Sequence, residues 1–93
     1  MGAREFVMPR YFFHLEAGAS YKDADGMELS GLDAAREHAV SHFAELLYHS
    51  ARSFWNSGDW IMRITDEQGL VFFTLHFAAT VAAAGSRPPH RAM

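Results

Sequence analysis

From Val7 to Leu15 the chain is almost wholly apolar, and a two-residue period sets Tyr11, Phe13 and Leu15 on one side of an extended segment. Phe12 and His14 fall on the other side. Glu16 to Ser20 carries turn formers. Tyr21 to Asp23 then reads as a short return strand that resumes at Met27 to Leu29, with Asp25-Gly26 as a tight turn or bulge between the pieces.

The period then changes. Ser30 is placed as an N-cap, with Asp33 in the reciprocal capping position, and a helix is predicted from there to about Phe54. At 100° per residue, Leu32, Ala39, Val40, Phe43, Leu46, Leu47 and Phe54 share one broad face, which should pack on a core. Asn56-Ser57-Gly58-Asp59 ends it. Beyond that, Trp60, Met62 and Ile64 alternate with Ile61, Arg63 and Thr65. Asp66-Glu67-Gln68-Gly69 makes a hairpin turn, and Val71, Phe73, Leu75 and Phe77 oppose Leu70, Phe72, Thr74 and His76 in a last strand.

The order β-β-α-β-β predicts an α+β fold: a four-stranded, largely antiparallel sheet with one long helix on one face. The two most apolar strands, Tyr11 to Leu15 and Leu70 to Phe77, should be central. Residues 8–79 form the expected single domain, residues 1–7 an N-terminal extension and residues 80–93 a flexible C-terminal tail. With 93 residues, 49% of them apolar, only one modest core can be built.

Composition removes several chemistries. No cysteine is present, so disulfides, thiol catalysis and thiolate zinc sites are excluded. The net charge of -3 disfavours a generic duplex-DNA or anionic-membrane binder. No secretory pattern opens the chain, and the apolar stretch from Leu70 to Ala84 is too short for a spanning helix, so a soluble, cytoplasmic protein is expected. Neither a glycine-rich phosphate loop nor a nucleophile elbow occurs. No carboxylate sits inside an apolar run, and a chain this small is not expected to enclose a pocket of several hundred cubic ångströms. The expectation is a non-enzymatic protein without a cofactor.

The run Met8-Pro9-Arg10-Tyr11-Phe12-Phe13-His14-Leu15 resembles the opening of a family of short bacterial proteins defined by a domain of unknown function. The likeness continues in Asp25-Gly26-Met27-Glu28-Leu29, Asp33-Ala34-Ala35-Arg36 and Thr65-Asp66-Glu67-Gln68-Gly69, and covers about Met8 to Phe77. The resemblance implies that Met8 is an alternative start to Met1. It implies no activity, cofactor or catalytic residue.

Five groups of residues are candidates for function. His38, His42, Glu45 and His49 form a polar stripe along the helix, and His38 and His42, spaced i and i+4 with Glu45 beside them, are weak metal-ligand candidates. The stripe is expected to face solvent, which removes the second shell a metal site requires. Asp23, Asp25 and Glu28 resemble a calcium loop only superficially, since Gly26 is out of frame. Arg36, placed near the centre of the apolar face, is expected to pair with Asp23 or Asp25 and clamp helix to sheet. Trp55 and Trp60 should close one end of the core.

The fifth group decides the functional expectation. Phe12, His14, Phe72 and His76 are placed together on the sheet face that the helix leaves open, where a contiguous aromatic patch marks an interface. Either the chain's own ends or another protein must cover it, and a two-fold homodimer is the commonest solution. The expected function is therefore a protein-interaction module that self-associates through its sheet. Two alternatives stand beside it: a small regulatory nucleic-acid binder using Arg10, Arg63 and sheet aromatics, and a weak metal binder on the histidine stripe.

Overall fold

In the computed structural model, which describes residues 8–82, β1 (Arg10–Glu16) is a central strand because Tyr11 and Phe13 need cover and find it. The return arm is broken in two, as the Asp25-Gly26 signal indicated. β2 (Ser20–Tyr21) and β3 (Met27–Glu28) pair with opposite ends of β1, Leu15 opposite Tyr21 and Arg10 opposite Glu28. β4 (Asp59–Thr65) lies on the other side of β1, and β5 (Val71–Ala78) pairs with β4. All pairings are antiparallel, in the order β2-β1-β4-β5 with β3 also on β1. The α+β arrangement is thus as expected, with five strands among the described residues, in an open sheet, rather than four.

One position differs sharply from expectation. The central strands are β1 and β4, and β5 is an edge despite being among the most apolar segments of the chain. A bulge between Ile64 and Thr65 accompanies this: Ile64 pairs with Phe73, but Thr65 pairs with Val71, which leaves Phe72 as the extra residue.

The helix α1 (Leu32–His49) is shorter than its apolar pattern predicts. It starts from Gly31 rather than Ser30, with no side-chain cap, and Asp33 turns to Arg36 instead. It stops at Ser50, and a separate 3₁₀ turn (Ser53–Asn56) follows. A continuous helix would carry Phe54 away from the sheet. The break lets its ring meet Trp60 and Phe77, at centroid distances of 5.8 and 5.2 Å.

Ala35 and Ala39, at 0% and 1% exposure, lie with Phe43 at the buried centre of α1, and two such small side chains let the helix sit close to the sheet. They face a core of Tyr11, Phe13, Phe54, Trp60, Met62 and Ile64. The buried stripe is rotated from the predicted one, and Leu32 and Val40 are exposed at 46% and 58%. The helix rides over β4. From one flank Arg36 reaches Phe73 of β5, and from the other His38 reaches Phe13 of β1.

Candidate functional site

The four sheet residues expected to form one patch do not come together. Phe12 and His14 stack on each other, rings 6.2 Å apart and nearly parallel, and both are half-buried. His76, two strands away, is exposed and bonds Asp59. Phe72 is carried by the bulge to the ring of Tyr11, a core residue, at 5.7 Å. Between them that face carries Arg63, Thr74 and Ile61, with an Arg63–Glu16 ion pair at 2.9 Å.

Phe12 is covered from above by the β2–β3 arm. Gly26 has φ +70°, and a Cβ there would lie 2.8 Å from Phe12 Cε2 and 2.9 Å from Arg10 Cγ. Only glycine accepts both the left-handed backbone and the contact. Asp23 holds this arm in place. Its Oδ1 accepts from the amides of Asp25 and Gly26, its Oδ2 from the amide of Phe13, each at 3.1 Å. Burial alone would raise its carboxyl, but these three amide donors and nearby His14 outweigh that and hold it below its ordinary 3.8.

The helix-to-sheet clamp is therefore not built as predicted. Arg36 is exposed, pairs with Asp33 one turn back, and lies over the Phe73 ring at 5.7 Å. Asp23 and Asp25 serve the arm instead, and the arginine that ties the arm down is Arg10, which bonds the Asp25 carbonyl at 2.7 Å and Glu28 at 3.0 Å. The reason is rotational: with Ala35 and Ala39 at the buried centre, Arg36 falls toward β5, away from the arm. Trp60 is buried as expected, whereas Trp55 is exposed at 61%.

The same rotation moves the histidines. His38 and His42 do not face bulk solvent opposite the core. They are half-buried and stacked, centroids 5.6 Å apart, with the His38 ring edge-on to Phe13 at 4.8 Å. Glu45 remains exposed, and among the described residues no group of three or more His, Asp or Glu is placed to hold a metal ion. The pair lines a cavity of about 970 Å³ between α1, β1 and the arm, floored by Phe13, Leu15, Trp60 and Met62. Chain length argued against a cavity of that size. It exists because α1 is centred over β4 and leaves the β1 side to be roofed by the arm.

The opposite side of the sheet presents a different surface. β5 uses one edge to pair with β4, and Leu70, Val71, Phe72 and Phe77 are 61%, 46%, 36% and 48% exposed. With Leu32 and Val40 on the neighbouring flank of α1, they form an apolar margin along the end of the sheet.

A family model described as a domain of unknown function, DUF6894, matches residues 10–78. The chain belongs to this family. No curated protein and no solved structure matches it. The match begins at the first residue of β1 and ends at the last of β5, so the DUF6894 unit contains the whole sheet, the cavity and the apolar margin. Among the described residues no helix is long and apolar enough to cross a membrane. The expected extension 1–7 and residues 83–93 of the expected tail lie outside the described part.

Proposed function

We propose that this DUF6894 domain is a non-catalytic interaction module that pairs with a second copy of itself along the β5 edge. The observation that carries the reading is the mismatch between the composition of β5 and its position. Eight residues, five of them Val, Phe or Leu, form a strand that has one free flank among the described residues. Monomeric proteins blunt such edges with charge, proline or brevity, and Leu70 to Ala78 contains no Lys, Arg, Asp, Glu or Pro. The bulge near its start protects only that end.

A second copy fits this margin on symmetry and charge. Antiparallel pairing of β5 with its equivalent is isologous, so one two-fold axis satisfies both free edges at once. It also brings the two α1 flanks together, covering Leu32, Val40, Phe73 and Phe77. Arg36 and Asp33 on that flank are of opposite sign, so the margin complements itself electrostatically. The nucleic-acid alternative has less to work with, because Arg10 and Arg63 are both engaged by carboxylates.

Sedimentation velocity tests the reading. The wild-type chain should run as a dimer at tens of micromolar, and Val71→Lys with Thr74→Lys should run as a folded monomer by circular dichroism. A wild-type monomer at that concentration would overturn it.

A further inference from the structure

We infer that the cavity between α1 and the β2–β3 arm binds an uncharged molecule with a flat apolar body and a hydroxyl group. The inference does not rest on self-association, since the cavity lies at the β1 side of the sheet and the proposed dimer edge is β5. At about 970 Å³ it is large enough for a small organic molecule. Its floor of Phe13, Leu15, Trp60 and Met62 is apolar, and the rings of Phe13 and Trp60 favour an aromatic body.

The charges at the wall favour neither sign. Asp23 takes the amides of Phe13, Asp25 and Gly26 on its two oxygens, so its carboxylate is occupied by the arm itself. Asp25 and Lys22 are exposed, three residues apart and of opposite sign, so they offset each other. Apart from the two histidines, the other polar side chains of the lining are uncharged, Ser50, Ser53 and Asn56 among them. A charged guest would give up its water against the apolar floor and meet no unmatched partner, whereas an uncharged one meets no such penalty.

The histidines call for the hydroxyl. Among the described residues the imidazoles that make hydrogen bonds are His14 and His76, while His38 and His42 line the cavity without a protein partner. A neutral imidazole has one donor and one acceptor nitrogen, and a hydroxyl, which also donates and accepts, matches it in either direction. The two rings are stacked with centroids 5.6 Å apart, close enough for one oxygen to bond a nitrogen of each.

The test uses four probes of similar shape on the full chain at mildly alkaline pH: 2-naphthol, 2-naphthoate, 2-naphthylmethylammonium and 2-methylnaphthalene. Titration calorimetry reads affinity, and histidine proton shifts read the site. Naphthol should bind saturably and shift His38 and His42. The two charged probes should bind about tenfold more weakly or worse, and the hydrocarbon, which lacks the hydroxyl, about threefold to tenfold more weakly. His38→Leu with His42→Leu should erase the preference for naphthol over the hydrocarbon and leave the sedimentation behaviour unchanged. His38→Gln with His42→Gln, whose amides again donate and accept, should keep it. Lys22→Gln and Asp25→Asn should each leave naphthol affinity within about twofold. Should the double leucine variant fail to fold, His42→Leu alone should still narrow the preference. A charged probe or the hydrocarbon binding as tightly as naphthol, a preference that survives the leucine changes, or no saturable naphthol binding at millimolar concentration would overturn the inference.

Discussion

The amide of Asp23 donates to Nδ1 of His14 at 3.1 Å, while Oδ2 of the same aspartate accepts from the amide of Phe13 at 3.1 Å. An imidazole nitrogen that accepts carries no proton, so the His14 proton sits on Nε2 and is donated to Thr65 Oγ1 at 3.2 Å. That hydroxyl in turn donates to the Asp66 carbonyl at 2.9 Å. A single chain of bonds thus runs from the arm, across β1, to the turn that joins β4 to β5.

Asp23→Ala should lower stability by about 1–3 kcal/mol, because three amides lose their acceptor together. Urea unfolding of the variant checks this, and a loss within error would mean that water replaces the carboxylate.

The pH dependence follows from the direction of the Asp23 shift. Its folded-state value lies below the ordinary 3.8. The carboxylate therefore contributes stability that is fully present above the unfolded value and disappears as pH falls through the folded one. In a melting series run down through that range, Asp23→Asn should flatten the acid-side decline relative to wild type.

Gly26→Ala combines a left-handed backbone with a 2.8 Å approach to the Phe12 ring. A cost of about 2 kcal/mol is expected, together with displacement of Phe12 visible as a changed aromatic shift pattern by NMR. Gly69→Ala has the same sign of φ and no atom within 4 Å, so it should cost less and isolates the contact.

The rotation of α1 yields a paired test. Ala39→Leu places a large side chain where exposure is 1% and should cost about 1–3 kcal/mol, whereas Val40→Ser, at a position 58% exposed, should change stability by no more than about 0.5 kcal/mol. The predicted apolar face treats both positions as core, so equal losses would restore that face.

Arg36→Ala removes an exposed ion pair and should have little effect on thermal unfolding, about 0.5 kcal/mol or less. Arg10→Ala should cost more, since it also frees the Asp25 carbonyl and loosens the arm.

Much of the architecture was legible in the chain because periodicity and turn chemistry agree. Asp66 shows this: its Oδ1 accepts from Gln68 and Leu70 at 2.8 and 2.9 Å, closing the turn that the Asp-Glu-Gln-Gly run announces. What escaped is also traceable to particular residues. Leu70-Val71-Phe72-Phe73 is apolar at every position, so alternation carries no phase there and the bulge leaves no mark. The helix face escapes the pattern because Leu32 and Val40 are larger and more apolar than Ala35, and yet Ala35 sits at the buried centre. Counting the two alanines as the contact stripe would have brought His38 and His42 to its margin. Strand order is not legible from apolarity alone, because β5 is among the most apolar strands and yet lies at the edge.

Ala35 and Ala39 do not line the chamber beside them, yet their methyl groups set how high α1 rides above β4 and so how tall that chamber is. A bulkier pair would lift the helix wall of that chamber and widen it without altering one residue of its lining. In this fold, capacity is governed from next door.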